Sequence, residues 1–183
     1  MTTKDLEGFV SGSGAQVEGG VEAILRALGI TGALVGSVWD FEHVRGGKVI
    51  DRWSVKNMMP DEILTRMLAD TFNGGTQSST WYVAPIEDDY TFTGSETYAS
   101  PGFTECTAYT EANRVTYNKA APANKSMTNS ANKAEFSINA TKTIYGAALV
   151  DNATKGDTAG GGSLGPCVKF TGKPVVNGDT IKV

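Results

Sequence analysis

Histidine occurs once in this 183-residue chain, at His43, and cysteine twice, at Cys106 and Cys167. Two cysteines at those positions match neither the paired spacing of a structural zinc site nor a CxxC redox motif. No apolar stretch approaches the roughly 18 residues that would cross a bilayer as a helix. A basic excess is missing too. Lys and Arg total 16 against 20 Asp and Glu, giving a net charge of −4 and a pI near 5.0. No cationic field exists to displace counterions, which argues against nucleic acid as the main partner. The start of the chain, Met1-Thr-Thr-Lys-Asp-Leu6, lacks the cationic opening and apolar run of a signal peptide. The protein is therefore expected on the cytosolic side unless lysis or a dedicated route releases it. In that reducing compartment both cysteines are expected as free thiols, although geometry and not spacing decides a disulfide. Large apolar residues are also sparse. Leu, Ile, Val and Phe number 38, about a fifth of the chain, just above the level below which disorder becomes the default.

What the sequence does hold is 22 Gly, 21 Thr and 10 Asn, with 15 Val against 8 Leu. Thr and Val suit pleated, half-buried surfaces, while Gly and Asn supply turns with positive φ. A mainly β chain with many turns and a thin core is expected. Residues 1–20 are polar and rich in Gly and Ser, too poor in apolar surface to offset their own ordering entropy. They read as a tail, or as an arm ordered on a partner. Val21, Ile24, Leu25 and Leu28 then fall at i, i+3, i+4 and i+7, with Gly29 at the expected stop of a short helix. Two such turns are marginal alone, so the stripe needs the body or a neighbouring subunit to sit on.

From Ala33 the period changes to two. Residues 33–41 read as a strand, Arg45-Gly46-Gly47 as a turn and 48–55 as the return strand. The clearest helix is 60–72, with Pro60 at its start, Asp61 and Glu62 in the first turn and Asn73-Gly74 as a stop. Its stripe, Ile63, Leu64, Met67, Leu68 and Phe72, is expected to cap a sheet. Residues 80–84 form a further strand that Pro85 ends or marks as an edge. A long loop covers 87–104, and strands follow near 105–110, 112–118, 134–139, 143–150 and 175–183. Short strands at this spacing predict a β-sandwich or partly closed barrel over 31–183, preceded by an arm over 1–30. The chain ends inside a strand pattern at Thr180-Ile-Lys-Val183, so a slightly longer native chain is expected.

Candidate chemistry is thin. His43 beside Glu42 could act as a general base, yet no motif places a Ser or Cys nucleophile near it. Glu87, Asp88, Asp89 and Glu96 could gather oxygens around calcium, without the spacing of a known loop. The same acids could pair for hydrolysis of a cell-wall polymer, although nothing sets their separation. The Gly-rich run Gly156–Gly165 lacks the Gly-Lys-Ser/Thr ending and following helix of a phosphate cradle. Sequons at Asn124, Asn139 and Asn152 read as chance. Trp81, Tyr82, Tyr90, Phe92, Tyr98, Phe103 and Tyr109 could stack on sugar rings, or could be core and subunit contact. No catalytic, cofactor-binding or metal-binding residues are assigned, and no cofactor is expected.

The stretch Asp51-Arg-Trp-Ser-Val-Lys-Asn57-Met-Met-Pro-Asp-Glu-Ile-Leu64 resembles a pattern in virion proteins of tailed bacteriophages, where a strand ends in Asn and a short helix follows. The segments Phe72–Val83, Phe103–Arg114, Ser130–Asn139 and Thr143–Val150 look like the same family's succeeding blocks, in the same order, so the likeness covers 50–155. The resemblance implies a non-enzymatic structural β-domain on a phage head or tail, with other virion proteins as partners. It further implies a homo-oligomer, with a trimer as the symmetry such a place suggests, and neither nucleic acid nor membrane as partner. The expected role is decorating or reinforcing the capsid or joining a fibre to it, anchored through 1–30. Candidate contact residues are Phe9, Val10, Val21, Ile24, Leu25 and Leu28 in the arm, with Tyr90, Phe92 and Tyr98 in the long loop. The alternative is a tail or fibre module for host recognition, binding a glycan or receptor through the 87–104 loop.

Overall fold

The computed structural model describes residues 35–183. The chain divides into Met1–Val35 and Gly36–Val183. The expected arm, its short helix and the contact residues Phe9, Val10, Val21, Ile24, Leu25 and Leu28 lie outside the described residues.

Two-residue periodicity and a Gly-Gly turn build the first hairpin. Strand β1 (Val38–Arg45) returns as β2 (Lys48–Lys56) through Gly46 and Gly47, whose φ angles are 56° and 76°. Positive φ at both central positions gives the turn whose twist matches two right-twisted strands, and glycine adopts it without steric cost. The pairing slips between His43 and Val44, leaving Ile50 as a bulge on the exposed side. Helix α1 (Asp61–Phe72) follows Pro60 and carries Asp61 and Glu62 at its positive end. After it come β3 (Tyr82–Ile86), β4 (Val115–Thr116), β5 (Glu135–Ser137), β6 (Lys142–Val150), β7 (Leu164–Val175) and β8 (Thr180–Lys182).

The strands form two four-stranded antiparallel sheets, ordered β2-β1-β8-β5 and β4-β3-β6-β7. Single bridges link their edges. Met58 exchanges both backbone hydrogen bonds with Cys167, at 2.7 and 3.0 Å. On the other side Glu105 pairs with Ile86 and Tyr109 with Ile138, so the expected strand over 105–110 is two isolated bridges between sheets. The architecture is a sandwich whose edges touch without closing into a barrel.

Two cores result. The larger lies between the sheets, where Trp39, Phe41, Phe136, Ile138 and Ile181 meet Val83, Ile144, Ala147, Val168 and Phe170. Phe41 stacks on Trp53 at 5.2 Å and meets Phe170 edge-on at 4.9 Å, arrangements that add to simple burial. The smaller core lies on the far face of the second sheet, where Ala84, Ile86, Ala148, Val150, Leu164 and Cys167 are covered by the long loop. With both faces of β6 covered, its sequence Ile144-Tyr-Gly-Ala-Ala-Leu-Val150 is apolar without alternation.

Three expectations need correction. Pro85 does not end its strand: its carbonyl accepts from the Cys106 N–H at 2.8 Å. Its missing N–H thus faces the irregular 105–106 segment and not β6, where a ladder donor would be lost. The longest strand, β7, falls partly on the Gly-rich run and on residues with no expected strand. Its Gly165, Pro166, Gly172 and Pro174 look like breakers, but the glycines leave room for neighbouring rings. A Cβ on Gly165 would stand 3.0 Å from the Trp81 ring, and one on Gly172 would stand 2.6 Å from that of Tyr145. Finally, α1 packs on β7 and buries Ile63, with Met67 half-buried, while the other three residues of its expected stripe turn outward. Leu64, Leu68 and Phe72 are 40%, 62% and 82% exposed.

Candidate interaction surface

Apart from the Trp53 indole N–H and the Tyr109 hydroxyl, which are buried without a partner among the described residues, the polar side chains that reach the interior are tied to one another. Arg114 is buried on the two-residue strand β4's N-terminal side and fills all five of its N–H donors. Nε and Nη2 hold the Glu105 carboxylate at 3.0 and 2.6 Å. Nη2 also reaches the Asp157 carbonyl, and Nη1 the Asn152 carbonyl, both at 2.9 Å, with the Tyr98 hydroxyl at 3.2 Å. A cleft of about 290 Å³ opens beside this group, walled by Phe103, Val150 and Leu164. Its arginine has no donor left for a ligand anion. Arg66 on α1 is used in the same way. It bonds Asp70 at 3.4 Å, Asp151 at 2.5 Å, the Thr76 carbonyl at 3.3 Å, Ser78 at 2.6 Å and the Ser163 hydroxyl, with its guanidinium over Trp81.

His43, on β1, faces the core, and its Nε2 lies 2.7 Å from Asp179 Oδ2, an acceptor, so this nitrogen carries the proton. Asp179 also takes two bonds from Arg45, at 2.7 and 2.8 Å, and one from the Val176 N–H at 2.8 Å. The Arg45 bond, with help from Val176 and His43 and against burial, holds this carboxyl far below the usual carboxylate range. The histidine thus fastens β1 to the β7–β8 turn.

The four acids of the long loop do not converge. Glu87 pairs with Lys142 at 2.9 Å and Asp89 with Lys169 at 2.8 Å, while Asp88 accepts from the Thr104 N–H at 2.9 Å. Glu96 is buried and takes the Thr93 and Gly94 N–H groups at 2.7 and 2.8 Å, together with the Thr93 and Tyr90 hydroxyls. Burial raises its pKa, but those bonds outweigh burial and bring it from 4.5 to about 2. Among the described residues no group of three or more His, Cys, Asp or Glu stands close enough to hold a metal. The Gly-rich run is equally occupied: Asp157 accepts from the Ala159 and Gly160 N–H groups. The Asn152 amide bonds Asp157 and the Gly161 carbonyl.

The aromatic loop residues point inward. Tyr98 is 4% exposed, with its hydroxyl 2.8 Å from Asp157, so within this chain it is a core residue. Tyr90, Phe92 and Phe103 are half-buried and meet edge to face at 5.5–6.3 Å. A loop that must cover one face of a sheet needs apolar side chains of its own, which is why its aromatics read in sequence as a binding platform. Both cysteines are free and buried, on opposite sides of the second sheet. Burial pushes the Cys106 thiol up to about 11 and Cys167 further in the same direction, so neither is an activated thiolate.

Two features remain open to solvent. The outer face of the first sheet carries a cross-strand row of alternating charge, Arg52, Glu42, Lys182 and Glu135, held in register by the strand pairing. Arg52 stands 3.1 Å from Glu42, and Lys182 stands 2.6 Å from Glu135. Each charge has an opposite neighbour, as on a solvated face. The second feature is the row Leu64, Leu68 and Phe72 at i, i+4 and i+8 along α1, uncovered among the described residues. Periodicity pointed to these residues as apolar, but not to the side on which the helix would lie. No family model, curated protein or solved structure matches this chain.

Proposed function

We propose that the chain is a non-enzymatic structural component of a tailed-phage virion, docked on the particle through residues 1–30. It reinforces or decorates the capsid, or joins a fibre to it, as a homo-oligomer for which a trimer is the symmetry to test first. The observation that carries this reading is the exposed apolar row on α1. A sandwich that pairs most of its buried polar groups internally, yet leaves Leu68 and Phe72 more than half exposed, gains burial by meeting a neighbour. The resemblance of residues 50–155 to phage virion proteins supports the same conclusion, since four of the five blocks fall on β2, α1, β3, β5 and β6 of one sandwich, and Phe103–Arg114 falls on the irregular segment between β3 and β4. The host-recognition alternative has less support, because the loop it relies on turns Tyr98 into the core. Copy number per purified virion, measured by quantitative mass spectrometry against the major capsid protein, tests the proposal. Copies comparable to the capsid protein support decoration, and a small fixed number supports a tail or fibre junction. Absence from the particle overturns it.

A further inference from the structure

Among the described residues the dipeptide Asn-Gly occurs twice, at Asn73-Gly74 and Asn177-Gly178. With no side chain on the glycine, its backbone nitrogen can reach the amide carbon of the asparagine. The N–Cγ bond forms and the Cγ–Nδ2 bond breaks. Ammonia leaves with the proton that the glycine nitrogen loses. Water then opens the imide, giving aspartate, or isoaspartate with the chain routed through Cγ. Water is the only co-reactant. The rate depends on how often that N–H is free and the backbone around it can rotate.

The two sites differ in both respects. At Asn177 the Gly178 N–H donates across to the Ile138 carbonyl at 2.9 Å, and the Asp179 N–H closes the turn on Val176 at 3.0 Å. Asp179 is itself buried and clamped by His43 and Arg45. Attack there requires the β7–β8 turn to open. Asn73 instead follows the last residue of α1. Its own N–H and that of Gly75 share the Ala69 carbonyl, each at 3.0 Å. The Gly74 N–H and the Asn73 amide have no partner among the described residues, and both residues are exposed. Helix ends open at far lower cost than a clamped turn.

We propose that Asn73 is a site of spontaneous deamidation and that Asn177, with the same Asn-Gly dipeptide, is protected by the fold. The product places a new carboxylate at the negative end of α1, whose last turn holds no basic residue, where it is unfavourable. The inference does not depend on the virion reading. The full-length protein would be incubated at mildly alkaline pH, natively and in guanidinium chloride, and both sites followed by peptide mapping that separates aspartate from isoaspartate. In the native protein Asn73 is expected to convert at least about tenfold faster than Asn177, the scale of one additional hydrogen bond to be broken. In denaturant the two should convert at similar rates. Asn73→Gln should remove the early acidic form on isoelectric focusing. Equal or faster native conversion at Asn177, or an Asn73 that stays intact while the denatured chain converts, overturns the proposal.

Discussion

Arg114 grips Glu105 with two nitrogens, Nε 3.0 Å from Oε1 and Nη2 2.6 Å from Oε2, and both side chains are buried. The pair sits where the irregular segments around 98, 105, 152 and 157 meet, and Arg114 bonds all four. In a region without ladder hydrogen bonds, one planar fork of donors satisfies carbonyls that would otherwise be buried unpaired. Replacing it leaves a buried carboxylate without its counter-charge. Arg114→Met is expected to cost about 3–5 kcal/mol, against much less for the double change that also makes Glu105→Gln. Urea denaturation of the two variants measures the difference.

Acid should loosen the sandwich at two named points. Glu96 and Asp179 both titrate below their ordinary values of 4.5 and 3.8 when folded, Glu96 at about 2. A depressed carboxyl contributes stability that is present above its unfolded pKa and is lost as pH falls through the folded one. The melting temperature should therefore hold at neutral pH and fall from about pH 4.5 towards 2. Glu96→Gln should be less stable at pH 7 and should show a shallower acid slope in melts followed by circular dichroism.

A third expectation concerns the hairpin tip at Asn124-Lys125, closed by reciprocal bonds between Ala123 and Ser126 at 2.9 Å. Its central residues have φ of 50° and 62°. Asparagine tolerates this region, whereas lysine is strained there by its Cβ. Lys125→Gly is expected to raise stability by about 0.5–1 kcal/mol, part of the relief being offset by the added freedom of the unfolded chain. A higher urea midpoint with unchanged slope would be the result.

The exposed row on α1 separates folding from assembly. Phe72→Lys or Leu68→Lys removes no buried contact and puts a cation, not an anion, at the negative end of α1, so unfolding free energy should stay within about 0.5 kcal/mol of the parent chain. Incorporation into particles, read by mass spectrometry of virions assembled with each variant, should fall. Normal incorporation of both variants would sink the role assigned to this face.

The local pattern of residues was enough to locate the β1–β2 hairpin at Gly46-Gly47, although its first strand runs Val38–Arg45 and not 33–41, and it was enough for α1, because Pro60, the leading acids and Asn73-Gly74 punctuate it. Composition, through Val, Thr and Gly, pointed to a mainly β chain, and the spacing of short strands to a sandwich or partly closed barrel. What the tertiary structure decided is where non-local contacts outweigh local preference. Gly165 and Gly172 sit inside the longest strand because Trp81 and Tyr145 occupy the space a side chain would take. Pro85 stays in a paired strand because its missing donor faces away from the ladder. Tyr98 is core because the loop that carries it must roof the second sheet, and Leu64, Leu68 and Phe72 are exposed because α1 lies on β7 through Ile63. Spacing tells which side chains share a face of an element, while the face that meets the core depends on partners far away in the chain.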